Sequence, residues 1–139
     1  MPSDLLEFYI ITEGGNCIYS RSNQAPLDKK LFAGFLSALN SFSKQLSKSE
    51  IEGFSLGQSK FFVYPAHKLL FVARTEANAK EGTVRRHLRE MVQIFFRRFP
   101  PQMFEASWEV AQDLFLLLNQ DYDPFFMDKT KQIASLLGW

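Results

Sequence analysis

Only one cysteine, Cys17, occurs among the 139 residues, so no disulfide can form within the chain. A reducing compartment is the simplest expectation, with the cytoplasm as the expected location. Histidine is almost as scarce: His67 and His87 are the whole set. Neither is spaced with Cys17 or with acidic residues as a zinc site requires. The glycines Gly14-Gly15 and Gly53/Gly57 lack the Lys-Ser/Thr or the third glycine of a phosphate-binding loop. Asp121 and Asp123 flank a turn-like stretch without continuing as a calcium loop. No apolar run approaches the roughly 18 residues that span a bilayer. No basic segment followed by an apolar one opens the chain as a signal peptide does. The expectation is a soluble chain without cofactor or metal, reaching a membrane only by surface contact, peripherally. Reactive groups do not converge in the sequence, so no enzyme is expected. Cys17 reads as a small strand residue, His67 as a turn residue and His87 as a helix-surface residue beside arginines.

What is present is apolar and aromatic. The composition is 46% hydrophobic and 22% charged, which excludes the low-hydrophobicity signature of disorder and allows one domain with a sizeable core. Fifteen of the aromatics are phenylalanine, so the interior should be packed with Phe rather than aliphatics alone. The net charge of +1 conceals a segregation. Residues 79–100 carry six basic and two acidic side chains, and residues 101–139 carry two basic and six acidic. A basic helix followed by an acidic tail is expected, facing each other or facing different partners.

Periodicity assigns the elements. Leu5 to Ile11 is short, apolar and rich in β-formers, as a central strand is. Glu13-Gly14-Gly15-Asn16 offers a tight turn into a more polar returning strand, Cys17 to Ser22. Asp28 can cap a long amphipathic helix carrying Leu31, Phe32, Phe35, Leu36, Leu39, Phe42 and Leu46 at spacings of three and four. In this reading Lys29, Lys30, Asn40, Lys44 and Ser47 lie off that face. Gly34, inside it, either is tolerated or packs closely against a sheet. Three strand-like runs follow: Glu50 to Ser55, Lys60 to Tyr64 and Leu69 to Arg74. They are joined at Gly57-Gln58 and at Pro65-Ala66-His67-Lys68 as an antiparallel meander. Leu69 to Ala73 is apolar on both faces, so it too should be central. Lys80 to Phe99 is a second helix with Val84, Leu88, Met91, Val92, Phe95 and Phe99 inward, ended by Pro100-Pro101. A third helix carries Phe104, Trp108, Ala111, Phe115 and Leu118, with a break at Asn119 to Pro124. A final short helix is expected over Phe125 to Trp139, with Phe126, Met127, Ile133, Leu136 and Leu137 as its apolar positions.

The order β-β-α-β-β-β-α-α, with two strands that need cover on both sides, calls for an α+β layer arrangement. It resembles the longin domain. The resemblance runs from about Leu6 to Leu118. It is carried by Phe8-Tyr9-Ile10-Ile11-Thr12-Glu13-Gly14-Gly15 leading into Ile18-Tyr19-Ser20, by the helix built on Phe32, Phe35, Leu36 and Leu39, and by Lys68-Leu69-Leu70-Phe71-Val72-Ala73 before an arginine-rich helix. Stand-alone archaeal longin-like proteins look most similar. The outline is shared with longin SNARE N-terminal domains, adaptor small subunits and the signal-recognition-particle receptor. The resemblance implies a profilin-like, five-stranded antiparallel sheet of order 2-1-5-4-3 between one helix and two. A roadblock domain would instead open with a helix, and a longin SNARE would continue into a heptad helix and an anchor. The longin domain is expected over residues 1–121, with a helical extension over 122–139.

The resemblance further implies a non-catalytic interaction module. Its expected partners are another longin or roadblock chain, as homo- or heterodimer, and a small GTPase, in vesicle-trafficking-type complexes. Candidate contact residues are Cys17, Tyr19 and Arg21 on the edge strand and Lys29 at the first helix. Arg85, Arg86, Arg89 and Arg97 on the basic helix, and Phe125 and Phe126 in the tail, complete the set. The arginine face reads either as a solvated face paired with Glu81, Glu90 and C-terminal acids, or as a contact for an acidic partner or anionic membrane. Nucleic acid is not expected, because no aromatics interleave with the arginines for base stacking. The alternative is a small-molecule sensor of PAS or profilin-like type, which needs a cavity with converging polar groups.

Overall fold

Six successive buried residues form β1 (Glu7–Thr12), and such a strand needs cover on both faces. The computed structural model describes residues 5–22, 28–47, 52–104, 107–108 and 112–126. The returning strand β2 (Cys17–Ser22) pairs antiparallel with β1. Gly15 makes their turn possible with φ of 91° and donates its N–H to the Thr12 carbonyl at 2.9 Å. Helix α1 (Lys29–Ser47) begins where Asp28 Oδ1 accepts from the N–H groups of Lys30 and Leu31 at 3.0 and 3.1 Å, as its sequence position foretells.

The meander is β3 (Gly53–Leu56), β4 (Ser59–Ala66) and β5 (Leu69–Glu76). Residues 50 and 51 of the expected third strand lie outside the described residues. Pro65 and Ala66 extend β4 instead of turning. The turn is His67-Lys68 alone, with φ of 48° and 65°, the positive pair of a two-residue hairpin. Ala66 and Leu69 face each other across it, so the neighbouring Pro65 directs its missing N–H away from β5, where proline is tolerated.

The five strands take the order β2-β1-β5-β4-β3, all antiparallel, as expected. Alternation along them separates two apolar layers. Tyr9, Ile11, Phe61, Val63, Leu70 and Val72 meet Phe32, Ala33 and Leu36 of α1. Phe8, Ile10, Phe62, Leu69, Phe71 and Ala73 meet Val84, Leu88, Met91 and Phe95 of helix α2 (Glu81–Arg98).

The third helix differs from the expectation. The chain makes 3-10 turns at Pro101–Phe104 and Gln112–Leu117, and α3 runs Leu118–Phe126, through the residues expected to break it. Burial explains the change: Leu118, Tyr122 and Phe126 recur every four residues and all enter the core beside α2. Tertiary burial outweighs weak local propensity, even with Pro124 in the last turn. Helix α3 therefore spans the expected boundary between residues 121 and 122. Met1 to Asp4, Ala111, and Met127, Ile133, Leu136, Leu137 and Trp139 of the expected final helix lie outside the described residues.

Candidate interaction surfaces

Helix α1 carries more apolar surface than one side of a sheet can cover. Of its expected apolar face, Phe32 and Leu36 are buried and Leu39 partly so. Leu31, Phe35, Phe42 and Leu46 instead remain 74, 45, 57 and 72% exposed. Asn40, expected off the inward face, is buried. The sequence arc is thus two adjacent stripes, one in the core and one facing outward on the side toward β3. Phe35 fixes that side: its ring meets Phe54 of β3 edge-on at 5.9 Å, and Phe54 stacks on Phe61 at 4.7 Å. Leu56 at the end of β3, 52% exposed, extends the patch. Leu31, Phe32, Phe35, Leu56 and Phe61 line an open groove of about 420 Å³ there, with Asp28, Ser59 and Arg74 at its margin. Gly34 lies on the exposed side of α1, with open space where a side chain would stand.

The edge-strand candidates are engaged within the chain. Tyr19 is buried, and its hydroxyl donates to Asn119 Oδ1 at 2.7 Å. Arg21 donates to the Asn119 carbonyl at 2.8 Å, pairs with Asp123 at 2.6 Å and lies over the Phe126 ring at 4.9 Å. Cys17, Tyr19 and Lys29 line a small depression with Asp113 and Leu116. The C-terminal segment thus occupies the flank of β2, and Tyr19, Arg21 and Phe126 serve first to hold it there. Phe125, half-buried, lies edge-on to His87 at 5.7 Å. Burial raises the Cys17 thiol above its ordinary pKa and pushes the Tyr19 phenol up to about 12.

The arginine face is partly internal too. Arg85 pairs with Glu81 at 3.0 Å and lies over the Phe62 ring at 5.1 Å, and Arg86 reaches Glu90 at 3.9 Å. Arg98, not among the candidates, holds Asp121 through two hydrogen bonds of 2.6 and 2.8 Å. That guanidinium keeps the Asp121 carboxyl below the usual carboxylate range. The basic helix and the acidic stretch after it do face each other here. Arg89 and Arg97 make no ion pair among the described residues, and Arg85 and Arg89 border a groove with Glu52, Tyr64 and Pro65.

One buried polar cluster escaped the sequence reading. Glu7 has no exposed surface, yet it accepts hydrogen bonds from Tyr9 Oη at 2.7 Å, Arg74 at 2.9 Å and Ser22 Oγ at 3.3 Å. Arg74 also donates to Ser59 Oγ at 3.0 Å. These partners satisfy one another, so the cluster is a structural knot across β2, β1, β5 and β4 rather than a reactive centre. Among the described residues, no three His, Cys, Asp or Glu side chains group as a metal site. No described helix is long and apolar enough to cross a membrane. On the α2 side of the sheet Phe8, Phe71, Phe95 and Phe115 are fully buried in close ring contacts, and the depressions at Glu52–Arg89 and at Leu31–Phe61 are open grooves.

No family model matches the sequence, and no curated protein matches it. Solved structures do share the fold. The gliding protein MglB from Thermus thermophilus superposes with a TM-score of 0.56 at 14% identity, over 64% of this chain and 73% of that one. An MglB in a tetrameric arrangement gives 0.53 at 13% identity, over the same shares of 64% and 73%. A Roadblock/LC7 domain from Streptomyces avermitilis gives 0.53 at 12% identity, over 71% and 86%. The likeness thus extends to a roadblock domain, although the first described element here is a strand. With its sheet order and its helices on both faces, the chain has the longin-like fold that MglB and Roadblock/LC7 domains share.

Proposed function

We propose that this chain is a non-catalytic interaction module, an adaptor or regulator that pairs with a longin or roadblock chain. Such a pair would serve small-GTPase or membrane-trafficking-type complexes. The observation that carries the reading is the outward stripe of α1. Four bulky apolar side chains there, with Leu56 of β3 beside them, stand in water although the layer beneath is complete. A contiguous exposed apolar patch of this kind marks an interaction site more often than scattered single residues do. The edge strand β3 lies next to it, and an edge can accept a further strand. The tetrameric arrangement of one structural neighbour is in keeping with assembly. The interface proposed is β3 with α1, in addition to the expected surfaces at β2 with α1 and on the arginine face.

The test is size-exclusion chromatography with light scattering, on the chain alone and mixed with candidate longin or roadblock chains and small GTPases in both nucleotide states. A complex is expected, and Phe42→Asp should weaken it at least about tenfold while leaving the circular dichroism spectrum unchanged. A chain that associates with nothing at high micromolar concentration, or one whose complex ignores Phe42→Asp and Leu46→Asp, would sink the reading.

A further inference from the structure

We infer that the outer face of α2 is a docking surface for an anionic lipid bilayer, with Arg86, Arg89 and Arg97 as its contacts. The inference goes beyond the pairing reading and does not depend on it, since α1 and α2 cover opposite faces of the sheet. Its ground is which basic residues of the helix remain uncommitted. Arg85 is engaged by Glu81 and the Phe62 ring, and Arg98 by Asp121. Arg86 reaches Glu90 only at 3.9 Å, an exposed pair of the kind that contributes little. Arg89 and Arg97 make no ion pair among the described residues. All three arginines are exposed, and so is Gln93 between them. Positions 86, 89, 93 and 97 recur at spacings of three and four, so they form one stripe about 16 Å long at the α-helical rise. The acidic residues after the helix do not neutralise it: Asp121 is bound to Arg98, and Asp123 to Arg21.

The lack of an apolar anchor selects a bilayer over a protein. No bulky apolar side chain of α2 is exposed, whereas α1 displays four. Protein interfaces centre on a buried aromatic or aliphatic anchor, with charge at the rim. A row of guanidinium groups without such a centre fits a surface whose charge is spread rather than placed, as that of anionic headgroups is. Toward the C-terminal end of the stripe, Val92 and the half-buried Phe96 line a shallow depression with Gln93 and Arg97. An aromatic ring beside a cation suits the boundary between headgroups and acyl chains. Nucleic acid bases would find no exposed ring on this helix to stack on.

Co-sedimentation of the full chain with lipid vesicles tests the surface. Binding is expected to phosphatidylcholine vesicles carrying about one third phosphatidylserine and not to phosphatidylcholine alone, and it should weaken as salt rises through about 0.1 M. Arg89→Gln and Arg97→Gln should each weaken it about fivefold, and Gln93→Arg should strengthen it by about the same factor. Arg89→Lys with Arg97→Lys should bind as the parent does, because a spread charge does not read guanidinium geometry. These positions are exposed, so the substitutions leave the core intact, which circular dichroism checks. Lys29→Gln with Lys30→Gln, on α1, should leave vesicle binding unchanged. Equal binding to both kinds of vesicle overturns the inference, and so does loss of binding in the α1 variant while the α2 variants bind normally. Lysine variants that bind as weakly as the glutamine ones overturn it in favour of a partner that reads guanidinium geometry. A chain that ignores vesicles but binds an acidic protein or RNA through these arginines assigns the stripe to that partner instead, and one that ignores all three leaves it a solvated face. None of these outcomes bears on pairing through α1, which light scattering reads separately.

Discussion

Glu7 puts a carboxylate with no exposed surface among the apolar central strands, and among the described residues its ion-pair partner is Arg74 at 2.9 Å. A buried pair of this kind is a weak source of net stability, but removing one partner strands the other. Arg74→Met should therefore destabilise the fold by about 3–5 kcal/mol, read from the midpoint of urea unfolding. Adding Glu7→Gln to Arg74→Met should restore a substantial part, because the amide no longer carries an uncompensated charge. A single variant that unfolds at the wild-type urea concentration would contradict this account. Both residues are visible in the sequence as charges in apolar runs, Glu7 inside Leu5 to Ile11 and Arg74 at the end of Leu69 to Arg74. What joins them is the β1–β5 register, Glu7 opposite Arg74, a pairing between strands about sixty residues apart that neither run discloses alone. A strand read singly as "mostly apolar" does not disclose its one charged position as buried.

Two helices show how far periodicity carries and where it stops. In α1, spacings of three and four correctly mark a helix, but they do not say how wide an arc the sheet will cover. The seven apolar positions fill an arc wider than one packing face, and the excess is the candidate interface. Gly34 lies beside that excess with nothing near its would-be side chain. Gly34→Ala should then raise stability by about 0.5–1 kcal/mol, through helix propensity and a less flexible unfolded chain, as thermal or urea unfolding would record. A loss of stability would mean that α1 makes a close contact at this point. In α3 the error runs the other way. Asn119, Asp121 and Asp123 look like turn formers, yet each is an anchor: the Asn119 side chain for Tyr19 and its backbone carbonyl for Arg21, the Asp121 side chain for Arg98, the Asp123 side chain for Arg21. Their partners lie roughly 20 to 100 positions away, so no local window could tell an anchor from a turn. Tyr122, between them, donates its hydroxyl to the Met91 carbonyl at 2.8 Å. Tyr122→Phe should cost about 1 kcal/mol and little more, because by helix geometry that carbonyl also accepts from within α2 and is not left unpaired.

The described residues form one sheet with an apolar layer on each side, and the same tyrosines that dock the α3 segment tie stability to alkaline pH. Tyr19 sits on β2 and Tyr122 on α3, with their rings 5.8 Å apart, and Phe8 of β1 lies between the layers against both. Burial pushes the Tyr19 phenol up to about 12 and raises that of Tyr122 as well. An unfolded tyrosine ionises near pH 10. Between these values the folded state keeps protons that the unfolded state releases, so the unfolded state gains in favour as pH rises. The stabilisation from the neutral phenols is fully present below about pH 10 and is lost as pH climbs through about 12. Absorbance at 295 nm should show these two tyrosines ionising together with the loss of tertiary circular dichroism, as one cooperative step. Tyr19→Phe, which keeps the ring and removes the acid, should move that step to higher pH. If both phenols titrated near pH 10 with the fold intact, the C-terminal segment would not be seated on β2 as described. Conversely, a step that follows Tyr19 ties the segment after α2 to the sheet as part of one cooperative unit.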